Sequence, residues 1–197
     1  MAKLIAYINS LFNNKKLRKV LLKMRSFLFV LAFILLIRHI KPNLLLPGFI
    51  ITMVGSMIQS WSFGSLDKNR MLAERGPYAL VRNPMYLGRF LLLFGCLFLV
   101  GSVWVLLLYS ICYYFYMINR VKREEEYLKN VFGATFEGYC ARTNRFVPSL
   151  SRIDIRAILF FDPRLFFRNH GHWNLLAVVG SYAIFYVYTL KYIAGID

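Results

Sequence analysis

The chain has 197 residues, of which 58% are hydrophobic and only 17% charged, and its mean hydropathy is +0.51. Ordinary soluble domains carry about 25% charged residues, so this composition predicts an integral membrane protein and excludes a disordered chain and a disulfide-rich secreted module. The net charge of +16 lies mainly in polar segments beside apolar runs, and residues 1–25 hold seven basic residues and no acidic one. Under the positive-inside rule these segments face the cytosol. This placement favours membrane lipids as partners and argues against nucleic acid.

We expect an all-α integral membrane fold with about five transmembrane helices. A basic amphipathic helix at residues 1–22 is predicted to lie on the cytosolic membrane surface, which places the amino terminus on that side. Residues 23–148 form the predicted core, and residues 149–197 add an interfacial segment and a last transmembrane helix. The first four of the five spans are expected at about 21–39, 42–66, 84–101 and 103–120. A polar loop at 67–83 and a cytosolic helix at 120–142 complete the core.

The third and fourth spans, at about 84–101 and 103–120, are predicted to form a tight helical hairpin. Gly101 and Ser102 lie between them, at a position where a short turn fits. A hairpin returns the chain to the side from which it started. We therefore expect the segment that enters it, Arg82-Asn83-Pro84, to lie next to the segment that leaves it, Arg120 to Glu126.

A stiff polar loop leads into the hairpin. It reads GPYALVRNPMYLG from Gly76 to Gly88. Pro77 and Pro84 restrict φ and remove two backbone donors, so nearby side chains are held in place. Four of these side chains can make polar contacts: Tyr78, Arg82, Asn83 and Tyr86. By itself, such a segment is also typical of an ordinary loop-to-helix junction at a membrane surface.

An acidic cluster follows the hairpin, against the charge trend of the chain. Glu124, Glu125 and Glu126 are three of only nine acidic residues, and Arg120 precedes them by one helical turn. One interpretation is an exposed helix with ordinary ion pairs. The other is a polar pocket at the lipid surface, suited to a cationic, polar cofactor beside an apolar substrate.

At these two places the chain resembles the isoprenylcysteine carboxyl methyltransferase family and the related phosphatidylethanolamine N-methyltransferases. The family pattern reads GPYxxVRHPxYxG, an apolar hairpin, and then EExxLxxxFGxxYxxYxxRxxRFxP. The first block is matched from Gly76 to Gly88 and the second from Glu124 to Pro148. Asn83 stands at the usual histidine and Phe136 at the first tyrosine of the second block. The resemblance covers roughly residues 43–148.

The resemblance implies a membrane-embedded methyltransferase that uses S-adenosylmethionine and acts on a lipid or prenylated acceptor. The positions it implies for cofactor binding are Arg70, Tyr78, Arg82, Asn83, Pro84, Tyr86 and Glu124. Arg120 would face the substrate, and it favours a carboxylate or another anionic acceptor. Such an acceptor needs no general base, whereas an amine would need one, for which Glu125 and Tyr139 are the nearest candidates. We therefore expect Arg120 and Glu125 in catalytic roles.

Other functions stay open at this point. The first alternative is a phospholipid amine N-methyltransferase, and a sterol-type reductase that binds NADPH is a more distant one. A structural or lipid-binding membrane protein would leave the paired motifs unexplained. No metal is expected, because the three cysteines lie singly and His170 and His172 have no third ligand nearby in the sequence.

Overall fold

A computed structural model describes residues 2–68, 71–148 and 154–194, and these residues form helices and connecting loops with no β-strand among them. Two single-turn 3-10 helices, Pro42–Leu44 and Gly76–Ala79, lie between the longer elements. The α-helices are α1 (Ala2–Asn13), α2 (Lys15–Ile37), α3 (Leu45–Ser65), α4 (Pro84–Phe98), α5 (Val103–Phe132), α6 (Ala134–Arg142), α7 (Ile155–Ile158), α8 (Pro163–Arg168) and α9 (Gly171–Ala194). The all-helical fold predicted from the sequence is confirmed for this part of the chain.

Two helical segments of the described chain are long and apolar enough to cross a bilayer by themselves. They are Pro42–Ser65, which ends with α3, and Gly171–Lys191 in α9. α2 makes a third if its halves, which meet at a bend of 56°, are taken as one span. α4 has only 15 residues, or about 22 Å at 1.5 Å per residue, and a hydrocarbon core is about 30 Å thick. The membrane character is therefore clear, while the count of five spans stays a prediction.

Small residues let α3 and α4 approach each other closely. The glycines pair in antiparallel order, because a Cβ atom on Gly55 would lie 2.6 Å from the Gly88 carbonyl oxygen and one on Gly95 would lie 2.7 Å from that of Gly48. Since apolar side chains gain little from leaving lipid for a helix interface, such close packing is a main source of helix association in membranes. The contact fixes α4 against α3. It thereby also fixes the position of Tyr86, the polar residue in the first turn of α4.

The carboxyl-terminal helix α9 packs on the same unit. Tyr182 of α9 and Thr52 of α3 share a hydrogen bond of 2.8 Å between their hydroxyl groups. Phe185 and Leu99 are almost fully buried beside them, and Phe33 of α2 stacks on the Phe185 ring. The core therefore lies between α2, α3, α4 and α9, and it leaves α5 at one side of the bundle.

α5 continues from the apolar hairpin into the polar part of the chain without a break. It passes through Arg120 and ends at Gly133, whose φ of 48° and ψ of −125° stop the helix. α6 then starts at Ala134. The helix expected at 120–142 is therefore two helices, because glycine at this position adopts a conformation that other residues avoid. The reversal lets α6 turn back toward the loop before α4.

A substitution at the glycine contact tests this packing. We expect Gly55→Ala to lower the thermal unfolding midpoint of the detergent-purified protein, since the added methyl group meets the α4 backbone and overpacking costs about 1–3 kcal/mol. Gly180→Ala is the matched control, because a Cβ atom there meets no atom within 4 Å. Equal midpoints for the two variants would show that α3 and α4 do not meet at Gly55.

Candidate functional site

The two motif blocks meet at a cleft of about 410 Å³. The loop after α3 and the first turn of α4 form one wall, and α5 and α6 form the other. Seven predicted site residues line it: Tyr78, Arg82, Asn83, Tyr86, Arg120, Glu124 and Glu125. Pro84 is fully buried at the start of α4 and supports the wall without lining it. Arg70 lies outside the described residues, next to Met71, Leu72 and Ala73, which do line the cleft.

A tyrosine hydroxyl joins the two charged residues of α5. Tyr86, in the first turn of α4, donates a hydrogen bond of 2.5 Å to Oε2 of Glu124, and the Tyr86 oxygen accepts one of 3.3 Å from Nε of Arg120. Arg120 and Glu124 are one turn apart, so both face α4. We call these three residues the Tyr86 bridge. It holds a carboxylate and a guanidinium side by side in the cleft.

Glu125 points to a different set of partners. Its Oε1 atom accepts from Nε of Arg145 at 3.2 Å, and its Oε2 atom accepts from Nη2 of the same residue at 2.5 Å. Nη1 of Arg82 lies 3.2 Å from Oε1, and Nδ2 of Asn83 lies 3.4 Å from it. We call this group the Glu125 clamp. It ties together the loop before α4, helix α5 and the chain after α6.

Arg145 is a functional candidate that reasoning on the sequence missed. It belongs to the motif RFxP, but its place beside Glu125 depends on the reversal at Gly133 and on the turn after Arg142. Arg82 is likewise held inside the protein, since its backbone N–H donates to the Asn144 carbonyl at 2.9 Å. Its side chain pairs with the carboxylate of Glu125.

Two buried tyrosines, Tyr78 and Tyr139, line the same cleft as Glu125. The hydroxyl of Tyr139 donates a hydrogen bond of 2.7 Å to the Tyr78 carbonyl, and both side chains are less than a tenth exposed. Burial, and then the charge of Glu124, raise the pKa of Tyr78. Burial, and then Tyr78, raise the pKa of Tyr139. Both phenols therefore stay protonated at neutral pH.

An asparagine clasp fastens α1 to the outer side of α5. Nδ2 of Asn13 donates to Oδ1 of Asn119 at 2.7 Å, and Nδ2 of Asn119 donates to Oδ1 of Asn9 at the same distance. Arg123 donates to Asn13 as well. Its pKa is lowered by burial and then by the positive charges of Arg18 and Arg120. α1, the first part of the segment predicted as one helix over residues 1–22, is thus attached to α5 at the residue before Arg120. Its location on the membrane surface stays a prediction.

A second, apolar pocket of about 220 Å³ lies between α4 and α5. It is lined mainly by hydrophobic side chains, among them Leu87, Phe90, Met117 and Phe146. Asn83 lines both this pocket and the cleft. The two spaces therefore adjoin at the residue that differs from the histidine of the family pattern.

Residues 45–135 match the family model described as phospholipid methyltransferase. The core of this chain is therefore similar to that family. The matched range includes α3, the loop after it, α4 and all of α5. It therefore contains all three residues of the Tyr86 bridge. The family resemblance predicted from the motifs is confirmed. α1, α2 and the chain from Phe136 onward lie outside the match.

A curated relative is an O-methyltransferase. The chain is 33% identical over 82 residues to protein-S-isoprenylcysteine O-methyltransferase of Schizosaccharomyces pombe. The aligned region covers 42% of this chain and 35% of the relative. The chain therefore spans about a third of the length of the curated relative it matches. No solved structure matches the chain.

Among the described residues, no group of three His, Cys, Asp or Glu side chains is placed to hold a metal ion. His170 and His172 lie at the start of α9, with ring centroids 6.4 Å apart. The expected absence of a metal stays a prediction.

Proposed function

We propose that this chain is a membrane methyltransferase that uses S-adenosylmethionine and methylates a carboxylate on a lipid or prenylated acceptor. The Tyr86 bridge carries the proposal, because it places an anionic and a cationic group side by side in one cleft. A cationic methyl donor and an anionic acceptor need this pair. The family of the core and the O-methyltransferase relative support the same reaction class.

The donor side of the cleft fits the cofactor. The whole cleft has a volume of about 410 Å³, within the usual range of small-molecule sites. Oε2 of Glu124 is engaged by Tyr86, whereas Oε1 has no partner among the described residues. That oxygen can accept hydrogen bonds from ribose hydroxyls or an ammonium group. When bound, S-adenosylmethionine would supply an electrophilic methyl group on a sulfonium centre.

Arg120 is the proposed acceptor-binding residue. Its Nε atom is engaged by Tyr86, and its terminal nitrogens have no partner among the described residues, so they are available to a carboxylate in the two-point geometry that guanidinium favours. A carboxylate is already ionised at neutral pH. The residue therefore only has to orient the nucleophile, and the rate gain comes from proximity and alignment.

The surroundings of Glu125 and Tyr139 argue against an amine acceptor. Both carboxylate oxygens of Glu125 are occupied by Arg82 and Arg145, so neither oxygen is open to an amine of the acceptor. Tyr139 is buried and stays protonated, and its hydroxyl donates a hydrogen bond to the Tyr78 carbonyl. We therefore propose that Glu125 positions the walls of the cleft and takes no proton.

The apolar pocket next to Asn83 is the proposed place for the acceptor's hydrocarbon chain. A lipid tail there would direct its polar end toward the cleft. We further propose that the cleft faces the cytosol, with five spans and a cytosolic amino terminus, because the segments that form the cleft carry an excess of basic residues. A phospholipid amine N-methyltransferase is the second candidate, favoured by the family description of the core.

Binding and transfer assays test this function in two steps. Calorimetry on the detergent-purified protein should show micromolar binding of S-adenosylmethionine and S-adenosylhomocysteine and none of NADPH. Methyl transfer is then measured from labelled donor to a prenylated cysteine with a free carboxyl group. The same molecule with a carboxamide in that place is the matched control, and phosphatidylethanolamine tests the amine.

Transfer to the free carboxyl alone is the expected result. Labelling of phosphatidylethanolamine would replace the proposed reaction with N-methylation at the same site. Binding of NADPH without S-adenosylmethionine would overturn the methyltransferase and indicate a reductase.

A further inference from the structure

One wall of the cleft proposed for the methyl donor is the loop after α3. It starts at Leu66, where α3 ends, and its residues Asp67, Lys68, Met71 and Leu72 line the cleft. A loop has no hydrogen-bond ladder of its own, so its position depends on contacts with other elements. Those contacts come from residues 160–169, a segment that we call the strap. It lies outside the range that matches the family model.

The strap satisfies the open end of α3. Nδ2 of Asn169 donates to the Phe63 carbonyl at 2.9 Å and to the Leu66 carbonyl at 2.7 Å. The backbone N–H of Asp162 donates to the Gly64 carbonyl at 2.8 Å. The last carbonyls of a helix have no partner within the helix. These bonds therefore fix the point at which the loop leaves α3.

The strap also reaches the far end of the loop. The Phe160 carbonyl accepts hydrogen bonds from Nε1 of Trp61 at 3.2 Å and from Oγ of Ser65 at 3.1 Å. The guanidinium of Arg75 lies 5.5 Å from the centre of the Phe160 ring. Gly76 has a φ of 64°, and a Cβ atom there would lie 3.1 Å from the same carbonyl oxygen. Both ends of the loop thus meet at Phe160.

One strap residue pairs directly with a residue of the cleft wall. Nη2 of Arg168 lies 2.5 Å from Oδ1 of Asp67, and the Asp67 side chain is 20% exposed. This pair is the closest link between the strap and the space proposed for the methyl donor. Because Asp67 belongs to the cleft wall, we expect the loss of this ion pair to lower the affinity of the cleft for the donor.

We propose that the strap positions the donor-binding loop, with Asn169 and Arg168 as its positioning residues. The proposal rests on the proposed methyltransferase function and adds a residue-level basis for donor affinity. The acceptor side does not share these contacts, since Arg120 and the apolar pocket are built from α4, α5 and the chain after α6. Changes in the strap should therefore alter affinity for the donor and leave affinity for the acceptor unchanged.

The 197-residue chain and three variants of it test the strap. Arg168→Ala should weaken S-adenosylmethionine binding about threefold, as expected for a partly exposed ion pair. Asn169→Ala should weaken it about tenfold, because two hydrogen bonds are lost. Arg164→Ala is the matched control: it lies one turn before Arg168 on α8, is exposed, and has no side-chain partner among the described residues.

Two further readouts separate positioning from simple loss of structure. In the transfer assay, KM for the donor should rise in Arg168→Ala while KM for the acceptor stays constant. Adding Arg168→Ala to Asp67→Asn should cause no further loss of donor affinity, because both changes break the same pair.

Each outcome decides the matter. Wild-type affinity for the donor in Arg168→Ala would overturn the proposal, even if Asn169→Ala fails to fold. Equal rises in both KM values would also overturn it, since the strap would then support the whole fold. If the wild-type protein binds no S-adenosylmethionine, the proposed function fails first, and the strap's role in donor binding fails with it.

Discussion

Glu124→Ala should abolish the binding of S-adenosylmethionine. The carboxylate is the only acidic group of the Tyr86 bridge, and its free oxygen is the proposed acceptor for the donor's hydroxyl or ammonium groups. Hydrogen bonds to a charged group contribute about 1.5–3 kcal/mol each, so the loss of two should weaken binding by at least about 100-fold. Calorimetry with S-adenosylmethionine and S-adenosylhomocysteine measures the effect.

The control for Glu124→Ala is Glu126→Ala. Glu126 is exposed and lies on the same helix two residues later, with no side-chain partner among the described residues. It should bind the cofactor like the wild type. Glu124→Gln keeps an acceptor for the Tyr86 hydroxyl and loses the charge, so we expect intermediate affinity. Wild-type affinity in Glu124→Ala would contradict the assignment of this residue to the cofactor.

Arg120→Ala should keep cofactor binding and lose turnover. Glu124 and Tyr86 remain hydrogen-bonded to each other without the guanidinium, so the donor side stays formed. The acceptor carboxylate then loses its orienting partner, and misplacement of a reacting group can cost about 100-fold in rate. The measurements are the kcat for a prenylated carboxyl acceptor and the calorimetric Kd for S-adenosylmethionine, on the same preparations.

Lys122→Ala controls for the removal of one positive charge from α5, since Lys122 is exposed and has no side-chain partner among the described residues. Arg120→Lys keeps a charge but not the two-point geometry of guanidinium, and it should recover only part of the rate. If Arg120→Ala loses cofactor affinity together with turnover, the residue acts on the donor. If turnover persists, the proposed acceptor site lies elsewhere.

The meeting of the two motif blocks could be predicted from the sequence. Two apolar segments joined at Gly101 and Ser102 form a hairpin, and a hairpin brings its ends together whatever its detailed packing. This is why Tyr86 and Glu124, which are 38 positions apart, lie in hydrogen-bond contact. The roles proposed for these residues remain predictions that the variants above can test.

The partners of Glu125 could not be predicted in the same way. Its position in the acidic cluster suggested a base, whereas the fold places Arg82 and Arg145 on its two oxygens. Arg145 reaches it only because the helix breaks at Gly133 and α6 turns back. The backbone angles of one glycine thus decide whether this carboxylate is open to substrate or tied to the protein.

By itself, the sequence determined the membrane character, the helical fold and the family resemblance of the core, because hydropathy, helix length and motif spacing are local properties of the chain. The tertiary structure alone decided which polar groups meet. The asparagine clasp joins residues more than 100 positions apart, and Asn169 bonds carbonyls of α3 that are equally distant. Such contacts depend on how several helices pack at once, and no local pattern encodes that arrangement.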